Sequence, residues 1–139
     1  MSAGRYDRIF PARRDALPQI AVFLAEACAA AGLPRDGCLR LTLLVEELFI
    51  NTVTHGHGVD SDAPVRLELV AMPGCITLTY EDTGPAHDPF AAVIAPDAAT
   101  KVEDRPVGGL GVLLVSAMAR HVEYRRVGDK NRISLEIGV

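Results

Sequence analysis

The chain has 139 residues, 49% of them hydrophobic, with a mean hydropathy of +0.19. That length suits a single domain with a sizeable core, and a second domain is not expected. A net charge of -4 with interspersed signs offers no basic stripe for a phosphate backbone, so nucleic acid is not an expected partner. No apolar run approaches the roughly twenty residues of a membrane span, and MSAGRYDR lacks the hydrophobic segment of a signal peptide. A cytoplasmic protein with no membrane partner is therefore expected. Cys28, Cys38 and Cys75 are an odd set without CxxC spacing, Cys28 and Cys38 sit among apolar neighbours, and buried free thiols are expected.

In chain order, Tyr6 to Phe10 reads as a short edge strand. A helix follows from about Asp15 to Ala31, with Leu17, Ile20, Ala21, Leu24, Cys28 and Ala31 on its buried face. Gly32 and Pro34 stop it, and Asp36 is placed to cap a second helix that runs to about His55. Val65, Leu67, Leu69 and Ala71 alternate with Arg66, Glu68 and Val70, then Met72-Pro73-Gly74 turns the chain into Cys75 to Asp82, a hairpin. From Thr83 to Val107 no period is sustained, and so long a connection in a compact domain reads as a lid or binding segment. Gly108-Gly109-Leu110-Gly111 then opens a helix whose Leu110, Leu113, Leu114, Ala117 and Met118 share one face. Val122 to Val127 and Arg132 to Ile137, separated by Gly128-Asp129-Lys130, form a second hairpin. This order predicts an α+β fold, a two-layer sandwich with a mostly antiparallel sheet and three helices on one face.

Three features carry chemistry. The second helix, LRLTLLVEELFINTVTHG, is apolar on nearly every side yet carries Glu46, Glu47, Asn51 and His55. Glu47, Asn51 and His55 recur at i, i+4 and i+8, which lays a polar seam along one stripe of a helix that reads as buried. Glu46 lies about 100° around the axis and is read as reaching solvent or an arginine. The second feature is Asp82, which period-2 alternation puts on the same side as Ile76, Leu78 and Tyr80. A carboxylate ending an inward row suits a ligand under the lid, with Gly84 allowing close backbone approach; the plainer reading is an Asx turn with Thr83 and Gly84. The third is the glycine run before a helix, whose free N-H groups and helix dipole suit phosphate. It follows no strand of a βαβ unit and lacks the Lys-Ser/Thr of a P-loop, so neither a Rossmann nor a Walker site is supported.

Glu47-x-x-x-Asn51 on a helix, Asp82-x-Gly84 after a strand, a long lid and Gly109-x-Gly111 before a helix together resemble the N, G1 and G2 boxes of the GHKL ATPase superfamily. The small size, FPARRDAL, EELFINTVTHG, and GGLGVLLV followed by VEYRR resemble its bacterial anti-sigma-factor serine kinases. The resemblance spans nearly the whole chain. It implies the Bergerat fold as a single domain over residues 1–139, with an ATP lid at about 85–107.

By the same resemblance, Asn51 ligates a Mg²⁺ that bridges the phosphates of ATP. Glu47 is the catalytic glutamate that orients or deprotonates a serine hydroxyl. Asp82 accepts from the adenine amino group beside Gly84, and Gly109, Leu110 and Gly111 hold phosphates. The implied activity is phosphorylation of a STAS-domain anti-sigma-factor antagonist, coupled to sequestration of a sigma factor, by a homodimer. Ala86-His87 before Asp88-Pro89 departs from the family pattern in the lid, and Lys101 and Arg105 sit at a slightly different offset from the family's basic residue. Two other readings remain open. One is a catalytically silent ATP- or ADP-binding switch that binds a partner protein. The other is a small metallohydrolase using His55, His57 and a carboxylate, although on a helix the two histidines point about 200° apart and no third ligand has sensible spacing.

Overall fold

A computed structural model describes residues 4–88 and 119–138, with the backbone alone at 55–57. Five strands, β1 (Gly4–Pro11), β2 (Pro64–Met72), β3 (Cys75–Asp82), β4 (Arg120–Val127) and β5 (Lys130–Gly138), form one sheet in the order β1-β2-β3-β5-β4. Every pairing is antiparallel. Two helices, α1 (Leu17–Ala31) and α2 (Arg35–Asn51), cover one face. The α+β sandwich predicted from the sequence is thus observed. The third expected helix, the Gly108–Gly111 run and nearly all of the expected lid, with Lys101 and Arg105, lie outside the described residues.

Alternation builds the core. Val65, Leu67, Leu69 and Ala71 of β2, Ile76, Leu78 and Tyr80 of β3, and Ile133, Leu135 and Ile137 of β5 all point inward and are buried. Against them α1 packs Ile20, Phe23, Leu24, Ala27, Cys28 and Ala31, spaced three and four apart as a helix stripe requires. Phe23 takes the place expected for Ala21, and its ring meets Phe10 and Tyr6 edge-on. α1 begins two residues later than expected because a short 3₁₀ turn, Arg14–Ala16, precedes it and Pro18 occupies its first turn. It ends where Gly32 enters the left-handed region at φ 65° and Leu33 N-H reaches back to the Cys28 carbonyl, a Schellman closure. The freed Ala31 carbonyl accepts from Gly74 N-H at 2.8 Å, which docks the β2–β3 turn against α1.

Three expectations are corrected here. Asp36 does not cap α2: Pro34 is the N-cap residue, with extended backbone, and Asp36 lies inside the first turn, where its charge still faces the positive helix end. The α-helix does not run to His55; it closes at Asn51 and continues as a π-helical segment, Thr52–His57. Cys28 and Cys38 are not free thiols. They form a disulfide joining α1 to the first turn of α2, and among the described residues Cys75 remains free.

The opposite sheet face is polar. Glu81, 3% exposed, is held there between Arg66 and Arg132, each at 2.9 Å, and Arg66 also reaches Asp7 and Glu68. Among the described residues no helix is long and apolar enough to cross a membrane.

Candidate functional site

The site lies where the C-terminal end of α2 meets the ends of β3 and β5. Asp82 is the last residue of β3, two beyond the buried Tyr80, so the pleat turns its carboxylate toward the helix layer, as the alternation predicts. The π-helical widening after Asn51 sets Thr52 against it. Thr52 Oγ1 donates to Asp82 Oδ2 at 2.8 Å, lies 2.6 Å from the Tyr80 hydroxyl and 3.0 Å from the Leu48 carbonyl.

The other carboxylate oxygen is equally occupied. Asp82 Oδ1 accepts from Gly84 N-H at 3.1 Å, an Asx turn that folds the chain back on itself, and from Asn131 Nδ2 at 2.8 Å. The Asx-turn reading of Asp82 is observed, and its carboxylate faces the helix layer as the alternation predicts. Gly84 is buried, and its carbonyl accepts from Arg126 Nη1 at 2.7 Å.

Asn131, 4% exposed, organises the rest. Its amide nitrogen also donates to the Pro85 carbonyl at 2.8 Å, and its oxygen accepts from the Tyr124 hydroxyl at 2.6 Å and His87 N-H at 3.1 Å. A buried side-chain amide with both ends matched is a rigid bracket, and it ties the Asp82–Pro85 turn to the β4–β5 hairpin. Reading the hairpin turn as Gly128-Asp129-Lys130 hid Asn131. The turn is in fact Gly128-Asp129, with Gly128 at φ 61°, and β5 starts at Lys130. Alternation carried back from Ile133 puts Asn131 on the inward row, a signal present in the sequence. Thr52 and the Tyr80 hydroxyl were also missed, since each reads as an ordinary core position.

Glu47 and Asn51 stand one helical turn apart on α2, and Asn51 directly precedes Thr52. The expectation that this seam is buried is corrected: Glu47 and Asn51 are half-buried, as is the adjacent Glu46. Leu39 and Leu43, on the same helix, are 53% and 49% exposed, so α2 presents an open side among the described residues. Partial burial still matters chemically. It raises the Glu47 pKa above the ordinary glutamate value, and the neighbouring Glu46 charge adds to the effect.

The structure thus brings Asp82 and Gly84 together with Thr52, and carries Asn51 and Glu47 on the same helix as Thr52. Gly109, Leu110 and Gly111 are outside the described residues. The side chains of His55 and His57 also lie outside them, and among the described residues no group of three His, Cys, Asp or Glu side chains is placed to hold a metal ion.

A two-layer sandwich with a helix-borne Glu-x-x-x-Asn and an Asp-x-Gly turn at the end of an inner strand defines an ATPase-type module. The family model for the histidine kinase-like ATPase domain matches residues 10–137, and the chain belongs to that family. It is similar to the serine/threonine-protein kinase BtrW of Bordetella bronchiseptica, with 30% identity over 95 residues. That alignment covers 68% of this chain and 66% of the relative, slightly less than two thirds of the relative's length.

Proposed function

We propose that the protein is an ATP-dependent protein serine kinase that acts as an anti-sigma factor. In this reading its substrate is a serine of a STAS-domain antagonist, and it also sequesters a sigma factor. The observation that carries the reading is Glu47: a half-buried carboxylate with raised basicity, one turn before Asn51, on the helix that continues into Thr52 and its bond to Asp82. Membership of the ATPase family and similarity to a named serine/threonine kinase support it.

The residues fit the nucleotide. A carboxylate has about four in-plane acceptor positions. Among the described residues Asp82 fills three of them, two on Oδ1 and one on Oδ2, and the fourth, on Oδ2, suits an exocyclic amino group such as that of adenine. Asn51 offers an uncharged side-chain oxygen, a suitable ligand for a hard cation, and Mg²⁺ held there would neutralise phosphate charge. Gly109, Leu110 and Gly111 are assigned to the phosphates through their backbone N-H groups.

In the transfer step the serine oxygen forms a bond to the γ-phosphorus as the bond to the ADP oxygen breaks, and the serine proton passes to Glu47. Burial, with the Glu46 charge adding to it, raises the Glu47 pKa and so strengthens that base. Kinases of this kind work as dimers by resemblance, and a homodimer in the cytoplasm is part of the proposal. The test is incubation with labelled ATP, Mg²⁺ and a STAS-domain antagonist. Label on an antagonist serine, lost in Glu47→Gln, is expected. Nucleotide binding without transfer would instead leave a silent switch that binds its partner.

A further inference from the structure

The hydrogen-bond chain behind Asp82 has a direction. Thr52 has one proton and three oxygen neighbours: the Leu48 carbonyl, the Asp82 carboxylate and the Tyr80 hydroxyl. The first two only accept, and the Leu48 carbonyl already takes Thr52 N-H. Tyr80 is 1% exposed, and its hydroxyl meets only Thr52 among the described residues. If Thr52 donated to Tyr80, the phenol proton would be buried with no acceptor among the described residues, which is unfavourable. The satisfied arrangement therefore runs from Tyr80 O-H to Thr52 Oγ1, and from Thr52 O-H to Asp82 Oδ2. Donation from Tyr80 polarises the second bond, because consecutive hydrogen bonds reinforce one another in a buried setting.

We propose that Tyr80, acting through Thr52, is a positioning residue that leaves Asp82 a single outward acceptor and so makes the site select a 6-amino purine nucleotide over a 6-oxo one. The inference rests on the nucleotide reading above and deepens it. Among the described residues, Gly84 and Asn131 fill Oδ1 and Thr52 fills one side of Oδ2, which leaves one lone pair of Oδ2. An amino group donates to that lone pair, whereas a 6-oxo group brings a second acceptor against it. Without the tyrosine proton, the Thr52 hydroxyl divides between Leu48 and Asp82, and the carboxylate gains freedom about its side-chain torsion.

The test is calorimetric binding of ATP and ITP to wild type, Tyr80→Phe, Thr52→Val and Thr52→Ser, with circular dichroism as a check on folding. Wild type is expected to prefer ATP. Tyr80→Phe should weaken ATP about fivefold and ITP by less than about twofold, Thr52→Val should narrow the preference further, and Thr52→Ser, which keeps the hydroxyl, should restore it. Equal weakening of both nucleotides would mark Tyr80 as merely structural and overturn the proposal. Unchanged ATP:ITP preference in folded Tyr80→Phe and Thr52→Val would overturn it while leaving the nucleotide site intact. Failure of folded wild type to bind either nucleotide would overturn the site reading and the positioning role together. If Tyr80→Phe does not fold, the comparison of Thr52→Val with Thr52→Ser decides.

Discussion

Asn131 Nδ2 donates to Asp82 Oδ1 at 2.8 Å across the β3–β5 ladder, where the two residues stand directly opposite each other. The pair joins the last residue of an inner strand to the hairpin that closes the sheet, and the same amide holds the Pro85 carbonyl and the Tyr124 hydroxyl. Asn131→Ala removes the shared partner of several part-buried polar groups at once. It should cost roughly 1–3 kcal/mol in denaturant unfolding and weaken adenine-nucleotide binding by calorimetry. Loss of stability with full retention of binding would show that the bracket does not position Asp82.

A second prediction concerns acid stability. Burial works to raise the Glu81 pKa, but hydrogen bonds from Arg66 and Arg132 outweigh it and hold the group below its ordinary value of 4.5. Arg66 likewise lowers the pKa of Asp7. A depressed carboxylate stabilises the fold above its unfolded pKa, and that contribution disappears as pH falls through the folded value. Wild type should therefore lose stability below about pH 4.5, and Glu81→Gln should be less stable at neutral pH with a flatter acid slope. Thermal melts at a series of pH values measure both, and parallel curves for the two proteins would contradict the assignment.

The base proposed for transfer can be tuned from next door. Burial is the larger cause of the raised Glu47 pKa and the Glu46 charge the smaller. Activity that needs ionised Glu47 rises with pH through that pKa, so Glu46→Gln should move the acid limb of the pH–kcat/KM profile to lower pH. An unmoved limb would separate Glu47 from the proton transfer.

The disulfide between Cys28 and Cys38 spans ten positions of chain. Closing so short a loop is worth roughly 2–4 kcal/mol. Reductant should lower the guanidinium midpoint of wild type and leave a Cys28→Ala/Cys38→Ala double variant unaffected. Titration of all three cysteines as free thiols in unreduced, denatured protein would contradict the bond.

What the sequence revealed and what it hid follow from the range of the interactions. The inward rows of β2 and β3 and the place of Asp82 at the end of one of them depend only on alternation, which is local. The Cys28–Cys38 bond depends on how closely α1 and α2 approach, and no spacing rule reports that. Half-burial of Glu47 and Asn51 was similarly invisible, because a helix apolar all round gives no sign of which side its neighbours leave open. Thr52 reads as a helix residue, and its value comes from Tyr80 and Asp82, which lie 28 and 30 positions away.

The most direct test of the account is calorimetric binding of ATP and ADP, with and without Mg²⁺, to wild type, Asn51→Ala and Asp82→Ala. Wild type should bind adenine nucleotide, Asn51→Ala should lose the Mg²⁺ dependence, and Asp82→Ala should lose affinity in both conditions. A folded wild type that binds neither nucleotide would contradict the central claim and leave a partner-binding domain on an ATPase scaffold.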